Sequence, residues 1–373
     1  MDIFSLIHFA KSRNASDMHL VASSPPLLRI NGLLEAVPDM LPISHEDIEK
    51  AFQELGSPEE QEQFRSRLEL DFGYSIPDIG RLRCNVSKQR DTISMVIRIL
   101  QETIPTLEEL GLPDVCKELV MKPRGLVVVS GPTGSGKSTT LASMINYLNR
   151  LKKRRVITIE DPIEYIYPSL KCAITQRELG RDTHSFADAL KHVLRQDPDL
   201  ILVGEMRDIE TAAAALTTAE TGHLVMTTGH APSASQAIER ITDLFPPHER
   251  DLVQSRLASM LLGILCQTLV PRINGKGRVP AVEVMLANSP VKNLIREGKI
   301  HQLPNTIRTH AQLGMKLLDQ SLVDLYRKDL ISRDDVITFC NEPDEVTKLI
   351  GDPSSEEKPE QVQPQFETVP QNY

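Results

Sequence analysis

The sequence predicts an α/β protein in two parts. A small α+β domain occupies residues 1–104. A larger domain with a parallel sheet occupies residues 123–288 and runs into a helical extension over 289–350. Three observations carry this expectation. Before residue 100, short segments alternate apolar and polar residues, the mark of strands buried on one face. After residue 123, runs of pure Val, Ile and Leu alternate with longer helical stretches, as in parallel sheets covered on both faces. Between the first of those runs and the stretch that follows lies a glycine-rich turn of fixed spacing.

The elements follow in chain order. Ile3, Leu6, Ile7 and Ala10 fall at helical spacing and predict an amphipathic helix, with a membrane-surface anchor as its rival use. Ser44 heads a helical run with Asp47 at its third position. Ser57-Pro58-Glu59-Glu60 opens another, with Pro at the first helical position and Glu at the third. In residues 81–87 every second residue is apolar. Leu82, Cys84 and Val86 therefore face a core, while Arg81, Arg83 and Asn85 share the opposite face. A strand over about 93–99 completes an antiparallel sheet with helices on one side.

Residues 105–122 read as a linker, with Pro105 and Gly111-Leu112-Pro113, and Lys122-Pro123-Arg124-Gly125 closes the junction. Buried strands are expected at 126–129, 156–159, 200–203 and 224–226. The tail over 351–373 is rich in Pro, Glu, Gln and Ser and is expected to be disordered.

Composition narrows the function classes. The 373 residues carry a net charge of −9, with a pI near 5.7 and no tryptophan. A nucleic-acid partner is not expected, because neutralising phosphates needs a basic surface. No stretch approaches the roughly 20 apolar residues of a membrane span. The N-terminus does not read as a secretory signal. The five cysteines form no C-x-x-C pair, which points away from zinc and disulfides and toward a reducing cytoplasm.

The chemistry concentrates in Gly131-Pro132-Thr133-Gly134-Ser135-Gly136-Lys137-Ser138, followed by Thr139. This matches G-x-x-x-x-G-K-[ST] between a strand and a helix. Glycines let backbone N–H groups wrap phosphates, Lys137 reaches the β- and γ-phosphates, and Ser138 can ligate Mg²⁺. The later apolar runs end in polar groups. They lead to Glu160-Asp161-Pro162-Ile163-Glu164, to Gly204-Glu205-Met206-Arg207-Asp208, and to Thr227-Thr228-Gly229-His230. Parallel strands deliver these ends to one edge, where ligands bind. Acidic groups there suit Mg²⁺, usually through its waters, and orientation of an attacking water. Glu205 follows a hydrophobic strand in the Walker B pattern. His230 is placed to sense phosphate. His223 precedes its strand, near the opposite edge, and serves structure or function equally well.

At these residues the chain resembles the PilT family of type IV pilus retraction ATPases, within the secretion-ATPase superfamily. The resemblance runs from Ala15-Ser16-Asp17-Met18-His19-Leu20 to about residue 345. GPTGSGKSTTLA is similar to the family's Walker A, ITIEDPIEY to its Asp box, LRQDPDLILVGEMRD to its Walker B, and His223 to His230 to its His box. The resemblance implies a PAS-like N-terminal domain and a RecA-like ATPase domain. It implies that Lys137 and Ser138 bind ATP and Mg, that Glu164 is the general base, that Glu205 supports Mg through water, and that His230 contacts the γ-phosphate. It also implies arginines acting on a neighbouring subunit's nucleotide, for which Arg81, Arg83 and Arg98 are candidates. Arg195, Arg207 and Arg240 lie in the same family-like region, and Arg195 and Arg240 join the in-trans candidates. The implied assembly is a homo-hexamer in the cytoplasm, peripheral to the inner membrane. It would act on pilin through a membrane platform protein, with a paralogous ATPase as a further partner.

Two departures stand out. Pro290-Val291-Lys292-Asn293-Leu294-Ile295-Arg296-Glu297 differs from the family's retraction helix at its first three positions. Gly229-His230-Ala231 stands where the family has Leu-His-Thr. The extension and type II secretion relatives carry a four-cysteine insertion and a longer N-terminal part, which this sequence lacks. The retraction branch is therefore expected. The rival functions are a PilU-like accessory or other secretion ATPase, a weakly hydrolysing regulatory subunit, and a nucleic-acid motor.

Overall fold

The computed structural model describes residues 1–30, 32–100 and 103–351. The expectation for the tail lies outside these residues, Gly351 apart. The first part comprises α1 (Ile3–Ser12), β1 (Asp17–Val21), β2 (Leu27–Ile30), β3 (Leu33–Ala36), α2 (His45–Leu55), α3 (Pro58–Arg67), β4 (Glu69–Ile76), β5 (Gly80–Gln89) and β6 (Thr92–Ile99). Its six strands form one antiparallel sheet in the order β3-β2-β1-β6-β5-β4. Ser44 and Ser57 cap α2 and α3, and Asp47 and Glu60 return the second bond of each capping box. Leu82, Cys84 and Val86 are fully buried and share a core with α1 and α2. Ile3, Leu6, Ile7 and Ala10 are all in that core, so the apolar face of α1 packs inward and is not a surface anchor.

The second part comprises α4 (Val115–Val120), β7 (Gly125–Ser130), α5 (Lys137–Leu151), β8 (Arg155–Glu160), β9 (Ala173–Glu178), α6 (Phe186–Val193), β10 (Leu200–Glu205), α7 (Ile209–Glu220), β11 (Leu224–Thr228), α8 (Ala234–Asp243), α9 (Arg250–Met260), β12 (Leu261–Pro271) and β13 (Arg278–Leu286). Helices α10 (Ser289–Arg296), α11 (Leu303–Thr309), α12 (Leu318–Arg327), α13 (Arg333–Phe339) and α14 (Pro343–Ile350) follow. The sheet order is β13-β12-β7-β11-β10-β8-β9. All neighbours are parallel except the β12–β13 hairpin. The four apolar runs form β7, β8, β10 and β11, buried between one helical layer containing α7 and α8 and another containing α4 and α5. Residues 105–122 are more than a connector, because α4 packs Val115, Cys116 and Leu119 into the core beneath α5.

The hairpin also anchors the helical extension. Glu283 of β13 is 3% exposed and accepts the Ala234 N–H at the start of α8 at 2.7 Å. Burial raises its carboxyl above the ordinary range, while the backbone N–H groups of Ala234 and Leu318 favour the charged form. One carboxylate thus serves the first turns of α8 and α12. Glu283→Ala strips both helix starts of their acceptor. It should destabilise this sheet by roughly 2–4 kcal/mol, whereas Glu283→Gln keeps an oxygen in place and recovers most of the loss. Urea unfolding of the three proteins checks the ranking.

Candidate active site

The glycine-rich turn joins β7 to α5, and its shape follows from local packing. Gly131 and Gly136 have φ of 142° and 86°, values that side-chain-bearing residues rarely adopt. Helix α5 starts at Lys137 with no side-chain cap. The orphan N–H groups of its first turn and the helix dipole together suit an anion. Lys137 Nζ donates to the carbonyls of Gly131 (2.8 Å) and Pro132 (3.0 Å). Burial pulls its ammonium below the ordinary value, and the carboxylates of Glu205 and Glu164 oppose that shift. Ser135 is buried, and Thr139 Oγ1 lies 2.9 Å from the Tyr165 hydroxyl.

A cavity of about 300 Å³ opens beside this turn. Thr133, Gly134, Lys137 and Ser138 line it from the loop, Glu160, Asp161, Glu164 and Tyr165 from the end of β8, Glu205 and Arg207 from β10, and His230 from β11. The strand ends thus converge as the parallel topology demands. Glu205 is aimed by a register slip. Val203 pairs with Thr227 but Glu205 pairs with Thr228, so Gly204 is skipped. Glu205 Oε2 accepts from Arg207 Nε at 2.7 Å, and Oε1 lies 2.9 Å from His230 Nε2. Glu160 accepts from Thr158 at 2.6 Å and from Gln176 at 3.2 Å. Burial pushes its carboxyl up to about 7 against those two hydrogen bonds, with Glu164 and Glu178 adding repulsion.

The arginines separate. Arg83 of the N-terminal sheet lines the cavity of its own chain. Arg81 pairs with Glu178, also in its own chain, and Arg98 pairs with Asp17 at 2.8 Å while staying exposed. Arg195 is exposed on the short turn after α6 and does not line the cavity. Arg240 lies on α8 and borders a neighbouring cavity of about 360 Å³ that shares Glu205 and His230. His223 sits at the far end of β11, its Nδ1 3.2 Å from the Thr218 carbonyl, away from the cavity. In α10, Asn288 is the cap, Val291 and Ile295 are buried and Leu294 is half-buried.

Several supporting residues escaped the sequence reading. Gln267 of β12 is buried, donates to the Ser135 carbonyl at 2.5 Å and accepts from Thr140 at 2.8 Å, so it holds the loop from behind. Gln176 and Glu178 of β9 hold the stretch that carries Glu164. The available signal for Gln267 was a polar pair, Gln267-Thr268, inside an otherwise apolar run, LLGILCQTLVP.

Comparison with known proteins agrees with this geometry. The type II/IV secretion system protein family matches residues 81–305. The type IV pilus retraction ATPase PilT of Pseudomonas aeruginosa is 45% identical over 334 residues, covering 90% of this chain and 96% of that protein. The type IV pilus ATPase PilU of the same organism is 39% identical over 350 residues, covering 94% and 91%. A crystal structure of the pilus retraction motor PilT with bound ADP superposes with a TM-score of 0.86 at 42% identity, covering 93% of this chain and 99% of that one. With its P-loop at the edge of a parallel sheet and its acidic strand ends around one cavity, this chain belongs to the type II/IV secretion system protein family of ATPases, on the branch that contains PilT.

Proposed function

We propose that this chain is a Mg-dependent ATPase that works as a homo-hexameric ring and powers retraction of a type IV pilus. The observation that carries the proposal is the gathering of Lys137, Ser138, Glu164, Glu205 and His230 around one cavity, with Arg83 of the other sheet at its rim. ATP would lay its phosphates on the loop and on the first turn of α5. Ser138 and Glu205 offer the hard oxygen donors that magnesium accepts alongside phosphate and water. The ion, when bound, would neutralise charge on the β- and γ-phosphates. Glu164 would orient the attacking water, and His230, held beside Glu205, would contact the γ-phosphate.

Division of the chain near residue 104, with a PAS-like first domain, is part of the same reading, as is location at the inner membrane. Among the described residues no helix is long and apolar enough to cross a membrane, so attachment would run through a platform protein. Arg98, Arg195 and Arg240 are exposed and can meet a neighbouring subunit. The identities favour PilT over PilU only modestly, so a role as the paralogous partner is the second reading.

Steady-state ATP hydrolysis, read with assembly state on the same samples, tests the motor. Glu164→Gln should keep the ring and nucleotide binding while turnover falls about 100-fold or more, the scale of a positioned acid–base group. A wild-type ring that binds ATP without turning it over would make the chain a regulatory subunit. In cells, loss of the protein should leave pili assembled but unable to retract, scored by twitching on agar.

Glu160 supplies a pH test. Burial pushes its native carboxyl up from the ordinary 4.5 to about 7. Between those values the native chain holds a proton that the unfolded chain has lost, so this group's contribution to stability falls as pH rises. Above about 7 the loss is complete. Glu160→Gln should therefore raise the Tm at pH 8 by about 2–4 °C, an effect of roughly 1 kcal/mol, and change little at pH 5. Thermal melts at the two pH values check this.

A further inference from the structure

The stretch that carries Glu164, residues 161–168, contains no helix or strand. Its backbone is nevertheless held on both sides of Glu164 from one face of β9. The Ile163 N–H donates to Glu178 Oε2 at 3.0 Å. Gln176 Nε2 donates to the Tyr165 carbonyl at 2.8 Å, and the Tyr167 N–H donates to Gln176 Oε1 at 3.1 Å. Residues 176 and 178 are two apart on a strand and so share a face. Arg177, between them, donates instead to the Asp182 carbonyl.

Glu178 is 3% exposed, and a carboxylate at that depth requires charged or hydrogen-bonding partners. The oxygen that takes the Ile163 N–H also takes the guanidinium of Arg81, from β5 of the N-terminal sheet. Arg81 reaches it across Gly73 of β4, where a Cβ would stand 2.2 Å from the guanidinium. Beside this contact, Arg181 donates to the Gly73 carbonyl at 2.8 Å and lies 3.7 Å from Glu60. The two sheets therefore meet at a small set of groups, and one of them touches the amide next to Glu164. Neither Arg81 nor Glu178 lines the cavity.

We propose that Arg81 and Glu178 of the same chain are positioning residues for hydrolysis, clamping the Ile163 amide and so setting the aim of Glu164. The proposal rests on the reading of Glu164 as the group that orients water. It makes turnover, but not nucleotide binding, depend on how the N-terminal sheet is seated. It also gives Arg81 a task within its own subunit, in place of one on a neighbour's nucleotide.

The test uses the full chain with ATP and Mg²⁺. Glu178→Gln and Arg81→Gln should each lower kcat about 10-fold or more, since misplacing a catalytic group by an ångström can cost about 100-fold. KM and the affinity for a fluorescent ATP analogue should stay within about threefold, because the loop that binds phosphate is untouched. The double variant should be no slower than the slower single, as for two members of one unit. Arg181→Gln, which loosens the same junction without touching the Glu164 stretch, should keep kcat within about twofold. Folded single variants with wild-type kcat would overturn the proposal while leaving Glu164→Gln inactive and the ATPase reading intact. If Glu164→Gln itself kept turnover, the base assignment would fail, and this proposal with it. Mixed rings separate the two roles of Arg81, even if Glu178→Gln does not fold. Combining Arg81→Gln with Lys137→Ala subunits should restore no activity if Arg81 acts within its own subunit. Restored activity would mean that Arg81 serves a neighbour, and would refute the clamp.

Discussion

The shape of the glycine-rich loop depends on one close contact, its backbone lying directly on β12. A Cβ at Gly131 would stand 2.2 Å from the Gln267 carbonyl oxygen, so no other residue fits there without moving the strand. Gln267 then uses both ends of its side chain, one on the Ser135 carbonyl and one on the Thr140 hydroxyl. A buried amide left unpaired would cost about 1–3 kcal/mol, so the loop and the strand stabilise each other's geometry. Because β12 also pairs with β13, the same hairpin that braces the P-loop carries Glu283 to the start of α8, just beyond His230. The glycine-rich loop and the start of α8 are thereby tied to one hairpin.

Charge is the second organising constraint. Glu160, Glu164 and Glu205 crowd one cavity, and like charges in a shared site cannot all ionise freely. Three devices relieve this. Glu205 faces Arg207 and His230, which spreads its charge toward the rim. Lys137 lies near Glu205 and Glu164, whose carboxylates favour its charged form and are offset by it in turn. Glu160 is pushed toward the neutral form by burial and held by Thr158 and Gln176 as part of the frame. Glu160 thus belongs to the frame of the site, while Asp161, Glu164 and Glu205 also line the cavity.

Much of this was legible in the sequence, for identifiable reasons. The buried strands β7, β8, β10 and β11 announce themselves as apolar runs because both their faces are covered. The capping boxes at Ser44 and Ser57 are local and depend on residues three apart. The P-loop has fixed spacing because phosphate geometry is fixed. Strand β9 was missed because it is an edge strand, AITQRE, whose polar side chains serve the adjoining stretch instead of a core. Strand β13 contains Pro280 and Glu283, both unusual inside a sheet; the first is tolerated because β13 is an edge strand, and the second is explained by the helix start it serves. The partners of Arg81 and Arg83 were equally hidden. The alternating pattern of β5 gives their common face, but the carboxylate that Arg81 meets lies about a hundred residues away and the cavity that Arg83 lines belongs to the other sheet.

Those two arginines bear on how a ring of such chains would work. Arg83 and Arg81 are alternate residues of one strand. The first reaches the rim of the nucleotide cavity and the second the carboxylate beneath the Glu164 stretch. A rigid displacement of the N-terminal sheet would therefore move both at once. It would withdraw a cation from the phosphates and release the amide beside Glu164 in the same motion. A rotation that leaves β5 in place would change neither. Coupling hydrolysis to domain motion needs a contact that both events share, and β5 carries both Arg81 and Arg83. If Arg81 sets the aim of Glu164 as proposed above, force applied to the N-terminal sheet would act on the chemistry through β5.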